Sequence, residues 1–173
     1  MYRNQFTVLF KILVLMLLCN TYCNCTSFGI NNTTACSTMM PLHGNSVTQT
    51  SIPPVLILPH SITIARGQQM KITIQNVASN YTFKGFLIQA RSDSKSNEIL
   101  GHFLSPADSS VKIMACGNSY STISQADPSQ KSNILLYWIA PTHFWGFVKF
   151  YATIVERFDL YWANLSSATV RIY

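Results

Sequence analysis

The sequence predicts an all-β chain folded as an antiparallel sandwich of about seven to nine strands. Three observations carry this. Short apolar or alternating runs recur from Val55 to the C-terminus, turn residues separate them, and no segment sustains an apolar stripe at helical spacing with caps at its ends. Of the 173 residues, 48% are hydrophobic and 10% charged, a balance that suits one well-buried core rather than a disordered chain.

The elements follow in order. Residues 26–44 are rich in Asn, Thr and Ser, the composition of a loop or extended arm pinned by Cys36. Residues 55–58 form an apolar run between prolines. After the turn residues Arg66 and Gly67, residues 70–75 alternate strictly and place Met70, Ile72 and Ile74 on one face. Residues 83–91 read as a central strand, 92–97 as a polar hairpin segment and 99–104 as the returning strand. Residues 111–116 form another strand, while 117–131, rich in Ser and without a strong period, predict a long surface connection. Residues 133–140 run up to Pro141, 147–155 follow, and 168–172 close the chain as a last strand. Gly85 inside the central strand marks a bulge or a close approach, by the neighbouring sheet in preference to a ligand.

Residues 1–25 predict a cleaved signal peptide. Arg3 precedes an apolar run broken by Lys11, and only about seven residues separate Lys11 from Cys19, whereas a spanning helix needs roughly 20. Small residues at −3 and −1 place the cut after Cys23 or Cys25, which leaves a domain over residues 26–173. No later run approaches spanning length, so the expected product is secreted and extracellular, without a transmembrane anchor. Cys25 stays only if the cut follows Cys23, and is then an odd thiol open to an intermolecular bridge. Cys36 and Cys116 read first as a disulfide in an oxidising compartment. Closing so long a loop contributes roughly 4.5 kcal/mol on chain-entropy grounds. Sequons at Asn31, Asn32, Asn80 and Asn164, with Asn24 if it is retained, fit the same address.

Charge and chemistry exclude more than they include. The net charge falls from +6 to +4 once Arg3 and Lys11 leave, and the remaining basic residues are scattered, so no nucleic-acid partner is expected. A solvated surface explains the excess, and a surface meeting anionic microbial or matrix polymers is the sharper alternative. Six acidic residues form no catalytic constellation, which excludes an enzyme on the residues present. His43, His60, His102 and His143 lack ligand spacing, so neither metal nor cofactor is expected. Among the tryptophans, Trp138 lies in an apolar strand and reads as core, whereas Trp145, in a loop after Pro141, is the candidate for ligand contact.

The order of short motifs is familiar. Residues 35–44 around Cys36, the stretch Phe83-Lys-Gly-Phe-Leu-Ile-Gln-Ala-Arg91, Gly101-His-Phe103, Lys112-Ile-Met-Ala-Cys116, Trp138-Ile-Ala-Pro141 and Val148-Lys-Phe-Tyr-Ala-Thr153 resemble the reeler domain in order and spacing. The resemblance covers essentially all of residues 26–173. It implies an immunoglobulin-like or fibronectin-like sandwich with a disulfide between Cys36 and Cys116. The family occurs in large matrix proteins, in ferric-chelate-reductase-like membrane proteins, and alone in small secreted invertebrate defence proteins. This chain is similar to the last group, having no room for matrix repeats or haem-bearing helices. Many members carry a histidine soon after the second cysteine, where this chain has Ser119-Tyr-Ser-Thr122, so a role tied to that histidine does not carry over.

The functional expectation is a binding protein of innate immune defence that recognises a microbial surface polysaccharide or lipopolysaccharide. The alternative is an extracellular-matrix or adhesion module that contacts other proteins. A third reading, an electron-transfer partner to a reductase, requires bound haem or metal.

Overall fold

A computed structural model describes residues 33–41, 43–94 and 98–173. Residues 1–25, expected as a signal peptide, and Asn31 and Asn32 lie outside the described residues. A short helix α1 (Thr33–Thr38) precedes β1 (Val55–Pro59), β2 (Thr63–Ile64), β3 (Gln69–Asn76), β4 (Gly85–Ser92), β5 (His102–Phe103) and β6 (Val111–Cys116). Then come β7 (Asn118–Gln125), β8 (Ile134–Ile139), β9 (Gly146–Arg157), β10 (Leu160–Ser166) and β11 (Val170–Ile172). The chain is an all-β sandwich, as expected. Its strands form a four-stranded sheet, β1-β3-β8-β5, and a seven-stranded sheet, β2-β11-β9-β4-β7-β6, with β10 paired to β9. All strand pairs are antiparallel except β2 with β11.

Alternation builds the core. Val55 and Ile57 of β1, Met70, Ile72 and Ile74 of β3, and Ile134, Leu136 and Trp138 of β8 turn inward. They meet Phe86, Ile88 and Ala90 of β4 and Val148, Phe150, Ala152 and Ile154 of β9. Fully burying one such large side chain stabilises by about 1.5–3 kcal/mol. Trp138 is wholly buried, packs edge-on against Phe150 at 5.1 Å between ring centroids, and donates its indole N–H to the Leu100 carbonyl at 3.1 Å.

Around β4 the outer face of the seven-stranded sheet is buried as well, which is why all eight residues of β4 are buried. The segment from α1 to Ser51 lies across it as an arm. Ala35 and Met39 pack on Leu87, Met114, Cys116, Val155 and Tyr161, and the Thr153 hydroxyl donates to the Met39 carbonyl. The Cys36–Cys116 disulfide, across a sequence separation of 80, staples the arm to β6. Further along, Gln49 N donates to Tyr161 O at 2.8 Å and the Trp162 indole donates to Ser51 Oγ at 3.2 Å.

Four expectations need correction. The arm contains a helix, of six residues, rather than loop alone. Residues 117–131 are not wholly a surface connection, because residues 118–125 form β7, which inserts between β4 and β6 with Ser121, Thr122, Ser124 and Gln125 buried. Their polar groups are satisfied by neighbours: Ser124 Oγ donates to Phe86 O at 3.0 Å, Gln125 Oε1 accepts from Phe86 N at 2.9 Å, and Thr122 Oγ1 accepts from Gln89 Nε2 at 3.1 Å. The strand expected over 99–104 shrinks to two residues, with Ile99 keeping a single bridge to Arg91. A hairpin partner to β9, β10, was not expected at all. As for Gly85, a Cβ there would lie 3.2 Å from Val155 Cβ and 3.3 Å from Gln125 Nε2, so its own sheet is what approaches.

Candidate functional site

Trp145 is exposed because of the corner that links the two sheets. β8 ends at Ile139, Pro141 has no N–H to continue a ladder, and a turn at Thr142 and His143 carries the chain across to β9. There Phe144 tucks against the core while Trp145 faces solvent with 73% of its surface exposed. Gly146 makes the reversal possible: its φ is 143°, and a Cβ would sit 3.2 Å from Phe144 Cζ.

The sheet register then gathers companions. Gly146 pairs with Ile172 and Phe147 with Arg171, so Trp145 and Tyr173 flank one pair while Phe147 and Arg171 face each other on the outer side. Thr63 pairs with Arg171 from the other side, and Ile62 accepts the Arg171 backbone N–H at 2.8 Å. Phe147, Tyr173 and Ile62 are each more than half exposed. The arm that covers β9 around Thr153 stops short of this corner. Three aromatic rings, an isoleucine and a guanidinium therefore share an open edge of the sandwich.

The charges at the corner are unequal. Lys149, next outward on β9, is tied to Asp93 at 2.9 Å, and that carboxylate raises the lysine's pKa. Among the described residues, Arg171 has no carboxylate partner. The arrangement offers flat apolar faces for stacking with one cation beside them, which suits a ligand rich in ring C–H surface with hydroxyl or anionic groups. Phe147, Tyr173 and Arg171 escaped the sequence reading, because only the pairing of the last strand with the start of β9 brings them to Trp145.

The other predicted residues lie elsewhere. Cys36 and Cys116 are bonded as expected. Asn80 is exposed in the β3–β4 loop. Asn164 is exposed at the β10 irregularity, with φ 57° and its amide donating to Thr38 O at 3.5 Å. Trp138 and Trp162 are buried. Among the described residues no group of three or more His, Cys, Asp or Glu is placed to hold a metal ion. His43 instead stacks on Phe158 at 4.4 Å, with Nδ1 2.7 Å from the Phe158 carbonyl. Among the described residues no helix is long and apolar enough to cross a membrane.

These features define a disulfide-stapled β-sandwich whose seven-stranded sheet is partly covered by the arm and open at an aromatic corner. Residues 34–173 match the reeler domain, and the chain belongs to the reeler family. A Bombyx mori protein with the provisional name of a defence protein is 31% identical over 142 residues, covering 80% of this chain and 81% of its own length. A Drosophila melanogaster protein, provisionally named a ferric-chelate reductase 1 homolog, is 34% identical over 144 residues; those residues are 80% of this chain and 22% of that protein. The chain thus spans under a quarter of the reductase-named relatives it matches. Among solved structures, the human F-spondin reeler domain superimposes with a TM-score of 0.63 at 17% identity, covering 75% of this chain and 96% of that one, a likeness of fold.

Proposed function

We propose that this chain is a secreted binding protein of innate immune defence, and that it recognises a microbial surface polysaccharide or lipopolysaccharide at the corner formed by Trp145, Phe147, Arg171 and Tyr173. The observation that carries the reading is the convergence of exposed rings on an arginine that has no carboxylate partner among the described residues. Stacking on such rings and pairing with such a cation are binding chemistry and need no cofactor. The Bombyx mori relative of comparable length, with its provisional defence name, supports the same reading. Secretion follows from residues 1–25 acting as a signal, and is consistent with a disulfide that persists only in an oxidising compartment. Glycans at Asn31, Asn32, Asn80 and Asn164 belong to the same proposal.

The second reading is a matrix or adhesion module that contacts other proteins, supported by the shared fold of the F-spondin reeler domain. A pull-down of the secreted protein against lipopolysaccharide, peptidoglycan, β-glucan and whole bacteria separates the two. Saturable binding that weakens about ten-fold or more in Trp145→Ala, as loss of a stacking ring predicts, supports recognition at the corner. Absence of binding to every one of these surfaces sinks the defence reading in favour of the matrix module.

A further inference from the structure

We propose that the outer face of the four-stranded sheet is a docking surface for an anionic phospholipid membrane. The two sheets treat their outer faces differently: the chain's own arm covers the middle of that of the seven-stranded sheet, and nothing in the described residues covers the other. Its outward side chains follow from the same alternation that builds the core, and they are unusually apolar. Leu56, Leu58, Leu104, Leu135 and Tyr137 each keep 38–50% of their surface in solvent.

The register shows that these residues form a continuous field. Leu58 lies across from Thr73, and Thr73 from Leu135. In the adjoining row Lys71 lies across from Tyr137, whose carbonyl accepts from Leu104 N at 2.9 Å, while His60 N donates to Lys71 O at 2.9 Å. Beyond them His102 pairs with Ile139. Leucines therefore flank a central lysine and tyrosine, with two histidines at one end.

Charge selects the occupant. None of the chain's six acidic residues lies on β1, β3, β5 or β8. The next acidic residue after β5, Asp108, is turned to its own loop, where its carboxylate accepts from Ser110 N at 2.8 Å. A second copy docked face to face would set Lys71 against its own kind with no carboxylate to answer it. An anionic lipid surface answers the lysine with headgroup phosphate while the leucines enter the acyl boundary and the tyrosine sits at the interface, as in proteins that lie on membranes. The sequons Asn80 and Asn164 lie off these four strands, so glycans there leave the face bare. The site is separate from the Trp145 corner, and the proposal does not depend on that corner's ligand.

The test is flotation of the full-length secreted protein with vesicles of phosphatidylcholine alone and of phosphatidylcholine mixed with phosphatidylglycerol. The expected result is co-flotation with the mixed vesicles that falls as salt rises, drops about ten-fold in Leu58→Gln/Leu135→Gln and in Lys71→Glu, and persists in Trp145→Ala. All three positions of the face are solvent-accessible, so thermal melting of the variants stays near that of the parent and separates lost docking from lost folding. Equal flotation on both vesicle types, none on either, or unchanged flotation in the Leu58→Gln/Leu135→Gln variant overturns the proposal. So does a concentration-dependent dimer that this variant abolishes, which assigns the face to a second copy.

Discussion

Arg91 is a cation on the arm-covered face of β4, at a position where a leucine would also be buried. It keeps 6% of its surface, and its guanidinium donates to Cys36 O at 2.8 Å, Ser37 O at 3.0 Å and Gln89 Oε1 at 2.7 Å. Burial lowers its proton affinity from the ordinary arginine range, and the carbonyls at the end of α1 compensate for the lost water. Arg91→Met keeps most of the volume but removes the donors to Ser37 O and Gln89 Oε1, while Cys36 O keeps the Gln89 amide as donor at 3.2 Å. The expected cost is about 3 kcal/mol in urea unfolding, and a loss below 1 kcal/mol shows that water can replace the guanidinium. The sequence marked Arg91 as the end of a central strand, but its burial was hidden because the covering arm comes from far upstream. Lys131 shows a second solution: its buried ammonium donates to Asp127 O and Ser129 O, both at 2.9 Å, and to Asp127 Oδ1 at 3.1 Å. Hydrogen bonds from Ser129, joined by that lysine, hold the Asp127 carboxyl down to about 2.

At the level of elements, what could be read in the sequence divides by how each strand satisfies itself. β1, β3, β4, β8 and β9 were legible because their apolar residues alternate or run together, and the solvent decides where such residues go. β7 was not legible, because Ser121, Thr122, Ser124 and Gln125 look like loop residues until the partners from β4 supply their hydrogen bonds. β10 was masked by the turn before it and by Asn164, whose left-handed backbone breaks the alternation. The helix α1 is too short to form by itself, since nucleation alone disfavours a six-residue segment. It is held by Arg91 and by the bond from Cys36 to Cys116. Cys116→Ala should therefore cost about 2–5 kcal/mol, seen as a lowered melting temperature. Melting unchanged from the parent means that the arm's hydrogen bonds suffice without the staple.

The candidate corner was half legible for a reason that belongs to the whole molecule. Trp145 announced itself by following a proline in a loop, yet its companions come from the end of the chain and are assembled only when β11 closes on β9. The arm leaves the two sheets with unlike exteriors, one partly covered and one open. Asn80 sits on a loop at the opposite end of β3 from the turn that precedes it, clear of both the corner and the open face. If it carries glycan, amidase treatment of protein expressed through the secretory pathway increases its mobility on a gel and Asn80→Gln removes part of that shift. Neither treatment is expected to alter the binding proposed for the corner. A variant whose mobility shift is identical to the parent's excludes Asn80 as an attachment site.

The four-stranded sheet also ends abruptly on both sides. β1 follows Pro54 and finishes on Pro59, and β5 at the other margin is two residues long. Proline withholds a donor, and two residues offer too few groups to template a new strand. Copies crowded side by side therefore find no ladder to extend from one to the next. The leucines of this sheet can thus face one way at high local density without its margins templating a ladder from copy to copy.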